Sequence, residues 1–295
     1  MGSFKKWVQI PLLLIQQKLI YMKRAFFLVV ALIGIGSIKA QVKQGTIVYE
    51  RKINAHRSIT NEQMRAMIPE FRISKHILLF SDSISLYKLI PENEAPDPFA
   101  GGGGGGARVS FSFTSSSDGG ELYKNFTQSK SILSSELAGK NYLITDSITQ
   151  QPWKLTNETK QILGYNCLKA TRKITVQPGP TRVMFFGSPG ATATRDTTRP
   201  QAREVEITAW YAQDIISPVG PDTYGQLPGV ILQLDYDNGA TVYSALEIKK
   251  EVDQKMLKEP KKGKLVTNAE FNKLRMEMMQ QQMQGGGNGG IRIGG

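Results

Sequence analysis

Cysteine is all but missing from this sequence: Cys167 is the only one in 295 residues. No disulfide can form within the chain, and a lone cysteine in an alternating segment is expected to be buried and inert. Histidine is almost as scarce, with only His56 and His76. Neither lies near a serine in a strand-turn-helix elbow, and no Gly-x-Ser-x-Gly occurs. Both are expected to be exposed or on a strand surface. The supply of His and Cys is too thin for a zinc site, and Asp235-x-Asp237-x-Gly239 is too short for a calcium loop. The sequence therefore nominates no catalytic residue, no metal ligand and no cofactor. Carboxylate pairs of the glycosidase kind meet in space and leave no mark of this sort.

Acidic residues are absent from residues 1–40, which hold six Lys or Arg. Met22-Lys23-Arg24 opens a charged n-region, residues 25–35 are apolar, and Ile38-Lys39-Ala40 ends on a small residue before Gln41. This is the anatomy of a secretory signal peptide over 22–40. Its apolar run is shorter than the roughly 20 residues a membrane span needs, so no stable transmembrane span is expected after cleavage. Residues 1–21 read as an over-long start, with an extended n-region as the alternative. Without the leader, 31 of the 37 basic residues remain against 25 acidic ones, a net charge of +6. That excess is mild and scattered, without the clustered aromatics of a nucleic-acid footprint. The expected location is across the inner membrane, in the periplasm or at the outer cell surface.

What is present is β pattern. Ile47, Tyr49 and Arg51 alternate with Val48 and Glu50, residues 58–68 have helical spacing with Thr60 as a cap, and 71–80 and 84–90 read as a hairpin. Further strands are expected over 109–113, 120–126, 131–136 and 141–148. Residues 153–156 and 158–163 read as a pair, followed by strands over 166–176, 204–211, 230–236 and 240–252. Asn238-Gly239 signals a tight turn. Three prolines and six consecutive glycines make 91–110 a flexible insert, and 177–202 is a second one, with a short strand at 183–186. These inserts interrupt one β-domain over 41–255. Beyond it, 256–295 combines a basic linker, a helix from 268 to about 282 and a Gly-rich end. Thr267 and Glu270 have capping-box spacing, and Phe271, Leu274 and Met278 share a helix face. Met276, Met278, Met279 and Met283 suit a docked helix, a flexible partner-binding tail or a soft-metal surface.

One ordered set of residues stands out: Trp153; Gly164-Tyr165 with Cys167; Trp210-Tyr211; Gly220-Pro221; and Leu227-Pro228-Gly229-Val230-Ile231. This set resembles the GLPGLI family, secreted proteins of Bacteroidota. Gln226 stands where the family's motif begins with glycine, and Val230 where it has leucine. The resemblance spans roughly residues 45–251 and is dense only after Trp153. It implies a large curved antiparallel sheet, a half-barrel like that of lipoprotein carriers, with a few short helices. The motif residues read first as fold-maintaining and second as a rim that contacts a ligand or partner. Trp210 and Tyr211, adjacent on one strand, must point to opposite faces.

These observations lead to a secreted, non-enzymatic envelope protein. Its expected ligand is a lipid or apolar peptide in the sheet's apolar face, or its partner is an outer-membrane protein. A hydrolase of unusual type and a structural surface protein are the alternatives. Polar side chains converging in a cleft, one with a perturbed pKa, would favour the hydrolase.

Overall fold

The computed structural model describes residues 42–59, 62–91, 120–176 and 202–285. The leader, Thr60, most of both inserts with their short strands at 109–113 and 183–186, and the Gly-rich end lie outside these residues. The remainder forms one open sheet of twelve strands in the order β12-β6-β5-β4-β3-β2-β1-β11-β10-β9-β8-β7.

β1 (Gly45–Asn54) lies in the middle of this sheet, between β2 (Phe71–Phe80) and β11 (Thr241–Lys249). A meander of β2, β3 (Ile84–Leu89), β4 (Glu121–Asn125), β5 (Lys130–Leu137) and β6 (Lys140–Ser147) extends to one side. A second meander runs to the other side through β10 (Val230–Tyr236), β9 (Arg203–Ala212), β8 (Tyr165–Val176) and β7 (Lys154–Ile162). Every pairing is antiparallel except that of β12 (Lys264–Thr267), which runs parallel to β6.

The alternation seen in the sequence sets the sheet's faces. In β1, Ile47, Tyr49 and Arg51 are buried, and their register partners Leu78, His76 and Ser74 share that face. This face holds the main core, which also includes Phe80, Tyr87, Ile207, Ala209, Tyr211, Ile231 and Leu234. The opposite face is covered only at the β2–β6 end, where Leu257 packs on Leu79, Leu86, Tyr123, Ile132 and Leu143. The expected basic linker is thus a strap across this face, fastened by Lys130 Nζ to Glu259 Oε1 at 2.8 Å.

Two helices are described. α1 (Glu62–Met67) follows a 3-10 turn at Ala55–Ser58, so helical structure is shorter than the spacing over 58–68 suggests. Pro69 stops it. α2 (Asn268–Gly285) starts on the expected capping box: the Thr267 amide donates to Glu270 Oε2 at 2.7 Å, and the Glu270 amide to Thr267 Oγ1 at 3.2 Å. Phe271 and Leu274 then dock on Tyr142, Ile144 and Val266. Among the described residues no helix is long and apolar enough to cross a membrane.

Two expectations need correction. Residues 153–163 form one edge strand, β7, with a register irregularity between Leu155 and Thr159, instead of a pair. Bulges of this kind let a strand keep its pairing while bending. β12 was unforeseen, because Lys264 and exposed Leu265 give its four residues little apolar alternation.

Candidate functional site

Residues 213–229 join β9 to β10 and contain most of the sequence motif. A connection this long inside a compact domain usually has a job of its own. Here it folds onto the core face of the sheet. Ile215, Val219 and Leu227 are buried in the main core beside Tyr49 and Ile231. The Ile231 amide donates to Val219 O at 3.1 Å, and the Gln226 amide to Pro218 O at 2.9 Å.

Three motif positions explain how the loop fits. A Cβ on Gly220 would lie 2.8 Å from Ile231 Cδ1. Gly229 has φ +152°, and a Cβ there would fall 2.2 Å from Ala212 O. Gln226 takes φ +59°, the left-handed region that glycine occupies most easily. The departure from the motif therefore leaves the turn in a glycine-like conformation. Pro221 is buried and Pro228 is exposed.

The other motif residues support the loop or its sheet. Trp153 Nε1 donates to Gly225 O at 2.9 Å, and Gln151 Nε2 to Thr223 O at 3.1 Å. Gly164 makes the β7–β8 turn at φ +81°. Tyr165, Leu168 and Trp210 pack half-buried against the core, while Tyr211, Val230 and Ile231 lie within it. Lys160 Nζ sits 5.6 Å from the Trp210 ring centroid. Cys167 is fully buried, and burial pushes its thiol up to about 11. It is an inert core thiol at neutral pH.

A polar cluster missed by the sequence reading lies beneath this loop. Lys124, 7 % exposed, donates from Nζ to Asp222 O at 2.9 Å and to Tyr224 O at 3.4 Å. Tyr243 OH donates to Asp222 Oδ2 at 3.1 Å. Asp222 itself is 5 % exposed and has φ +53°. Arg51 lies 5.9 Å from the Tyr243 ring centroid. His76 is fully buried and stacks on Tyr87, with centroids 5.0 Å apart and planes 4° from parallel. This corrects the surface placement expected for His76. Its even spacing with Leu78 and Phe80 was the available signal. Arg172 sits between the rings of Trp153 and Tyr224, at 5.3 and 6.0 Å.

Burial governs the electrostatics. It pulls the Lys124 ammonium down to about 8, against the opposing pull of Asp222. It pushes Tyr87, Tyr224 and Tyr243 well above the ordinary phenol range, with the Asp222 charge adding to the effect in each. Convergent polar groups with a perturbed lysine are what an enzyme site would show. In this chain they converge behind a packed loop, and both Lys124 contacts are to that loop's carbonyl groups. The arrangement is a latch that ties residues 222–224 to β4 and β11.

Two shallow clefts flank Pro218 on the loop. One, of about 270 Å³, is lined by Phe126, Ser129, Ile148, Gln150, Pro218 and Gln226. The other, of about 380 Å³, runs past Ile216, Ser217, Leu227 and Pro228. No group of three or more His, Cys, Asp or Glu able to hold a metal ion occurs among the described residues.

The loop and the strands around it fall within a region of recorded similarity. Residues 153–233 match the model of a family described as a protein of unknown function, Porph_ging. No curated protein matches the chain. Two solved structures of PNGF-II are similar in shape, each with a TM-score of 0.45, at 18% and 17% identity. They cover 79% and 78% of this chain but only 33% and 32% of their own length. The chain thus spans about a third of these proteins.

Proposed function

We propose that this chain is a secreted, non-enzymatic protein of the cell envelope that binds a protein partner, and that it belongs with the GLPGLI proteins its motifs resemble. The leader-like residues 22–40 support export. The family match supports the grouping, because residues 153–233 include the Trp153, Gly164-Tyr165, Trp210-Tyr211 and 227–231 motifs.

The observation that carries the reading is the occupation of the sheet's core face by the chain's own loop. An acyl chain needs an enclosed apolar interior. Ile215, Val219 and Leu227 fill that interior here, so the lipid version of ligand binding loses its support. The remaining clefts open beside the loop, on the outside of the molecule, where another protein can reach them.

The hydrolase alternative has one observation in its favour, the perturbed Lys124 beside Asp222. For it to act, residues 222–224 would have to leave the sheet and break both Lys124 bonds.

Native mass spectrometry of the mature protein from its own envelope fraction, followed by cross-linking in whole cells, tests the proposal. The expected result is a lipid-free chain that cross-links to a discrete envelope protein. A lipid-sized mass on most molecules would overturn it in favour of a carrier. Hydrolysis of an ester or glycoside panel, lost in Lys124→Met, would overturn it in favour of an enzyme.

A further inference from the structure

The larger cleft beside Pro218 has a chemistry of its own. Its walls are Ile216, Pro218, Leu227 and Pro228, with Gln213 at one end and Ser217 as the polar exception. Ile216 is 43 % exposed, unusual for a large aliphatic side chain on a loop otherwise sunk in the core. Ser217 is only 2 % exposed, and its Oγ has no hydrogen-bond partner among the described residues. A buried hydroxyl without a partner costs stability that an apolar residue of the same size would not. The same loop edge already takes up an extended segment. Val42 forms a parallel bridge with Ile215, in which the Ile216 amide donates to Val42 O at 2.9 Å.

We infer that this cleft is a docking groove for an extended apolar peptide segment of another protein. The inference rests on the partner reading above and gives that partner a surface and a chemistry. Aliphatic and proline walls suit a short run of apolar side chains. The Ser217 hydroxyl can accept a backbone N–H or donate to a backbone carbonyl. An acyl chain could use the walls but would leave the hydroxyl unpaired, and a sugar or nucleotide would find the walls wrong. A peptide satisfies both features.

The test pans phage-displayed nine-residue peptides on the mature protein. The tightest enriched peptide is then synthesised, and its binding is measured by fluorescence anisotropy. The expected peptide has an apolar centre. Its affinity falls at least about ten-fold in Ile216→Asp, a change at a solvent-reaching side chain that leaves the fold intact by circular dichroism. In Ser217→Ala, affinity falls about five-fold while stability without peptide stays level or rises, because no internal bond is lost. A Ser217→Ala protein that is clearly destabilised would assign the hydroxyl to the fold and remove it from the inference. A peptide that binds Ile216→Asp as tightly as the parent, or a library with no enrichment over blank beads, overturns the groove. Displacement of the peptide by millimolar dodecanoate, with matching direct binding of dodecanoate, would reassign the walls to acyl chains and overturn the peptide class.

Photo-cross-linking in whole cells separates this inference from the reading beneath it. Cross-links from p-benzoylphenylalanine at position 216 support the groove when the enriched peptide competes them away. Cross-links from other surface positions but none from 216 sink the groove and leave the partner. None from any position sinks both.

Discussion

At Gly229 a single hydrogen atom stands where any other residue would put carbon against the Ala212 carbonyl. Gly229→Ala is expected to cost at least about 3 kcal/mol, since both the φ of +152° and the 2.2 Å contact oppose a side chain. Gly164 is the control: its φ of +81° is left-handed too, but nothing lies within 4 Å of an added Cβ. Gly164→Ala should cost only about 1–2 kcal/mol. Urea unfolding of the two variants measures the difference. Equal losses would mean that the loop yields around position 229. Lys124 gives a prediction in pH. Its folded pKa, about 8, lies below its ordinary 10.5, so between those values the unfolded chain binds more protons than the folded one. Stability must therefore rise with pH from about 8 toward about 10. Above pH 10 the buried tyrosines act the other way. Their phenols ionise more readily in the unfolded chain, so stability falls. Lys124→Met should flatten the rise and leave the fall, as read by melting temperature across buffers.

Among single elements, the β10–β11 hairpin combines turn chemistry with a charge clamp. Asp237, Asn238 and Gly239 all have positive φ, and the Gly239 amide donates to Asp235 Oδ1 at 2.6 Å. Arg203 holds both Asp237 carboxylate oxygens, at 3.0 and 2.7 Å, and these bonds keep the carboxyl below its usual range. The stabilisation is present above the unfolded carboxylate pKa of about 4 and is lost as pH falls through the lower folded value. Arg203 is half exposed, so Asp237→Ala should cost only about 1 kcal/mol and remove part of the acid sensitivity. A loss above about 3 kcal/mol in an acid-titrated melt would mean that the turn depends on this pair far more than solvent screening allows. This element was fully legible in the sequence, because Asn-Gly forces a local conformation and alternation fixes the strands beside it. The capping box of α2 was legible for the same reason. The Lys124–Asp222–Tyr243 latch was not. Its members come from β4, the 213–229 loop and β11, and only tertiary packing brings them together. His76 was misplaced for a related reason: polarity argued for the surface while strand parity argued for the core.

On the scale of the whole molecule, the segment after β11 is part of the fold, although its sequence reads as a linker. Leu257 closes one core cluster, and Phe271 and Leu274 close another. A chain ending at residue 250 would expose Leu79, Leu86, Tyr123, Ile132 and Leu143 on one face and Tyr142 and Ile144 on the other. It is expected to bind the dye ANS and to melt at lower temperature, with hydrogen exchange rising first in β3–β6. Unchanged exchange there would make the strap dispensable. The open sheet itself was legible from the strand count and alternation. Its strand order was not, because no local signal pairs β1 with β11.

That pairing also fixes when the fold can be completed. Thr46 bonds to Glu251 across 205 positions of sequence, and the two meanders between them are built from neighbouring strands alone. A ribosome delivers β1 first and its central partner almost last. Until then each meander can assemble by itself, but β1 waits with one flank bare, a ready template for any stray strand. The newborn chain therefore has most need of a chaperone at its oldest strand, and that need ends only when synthesis has nearly finished.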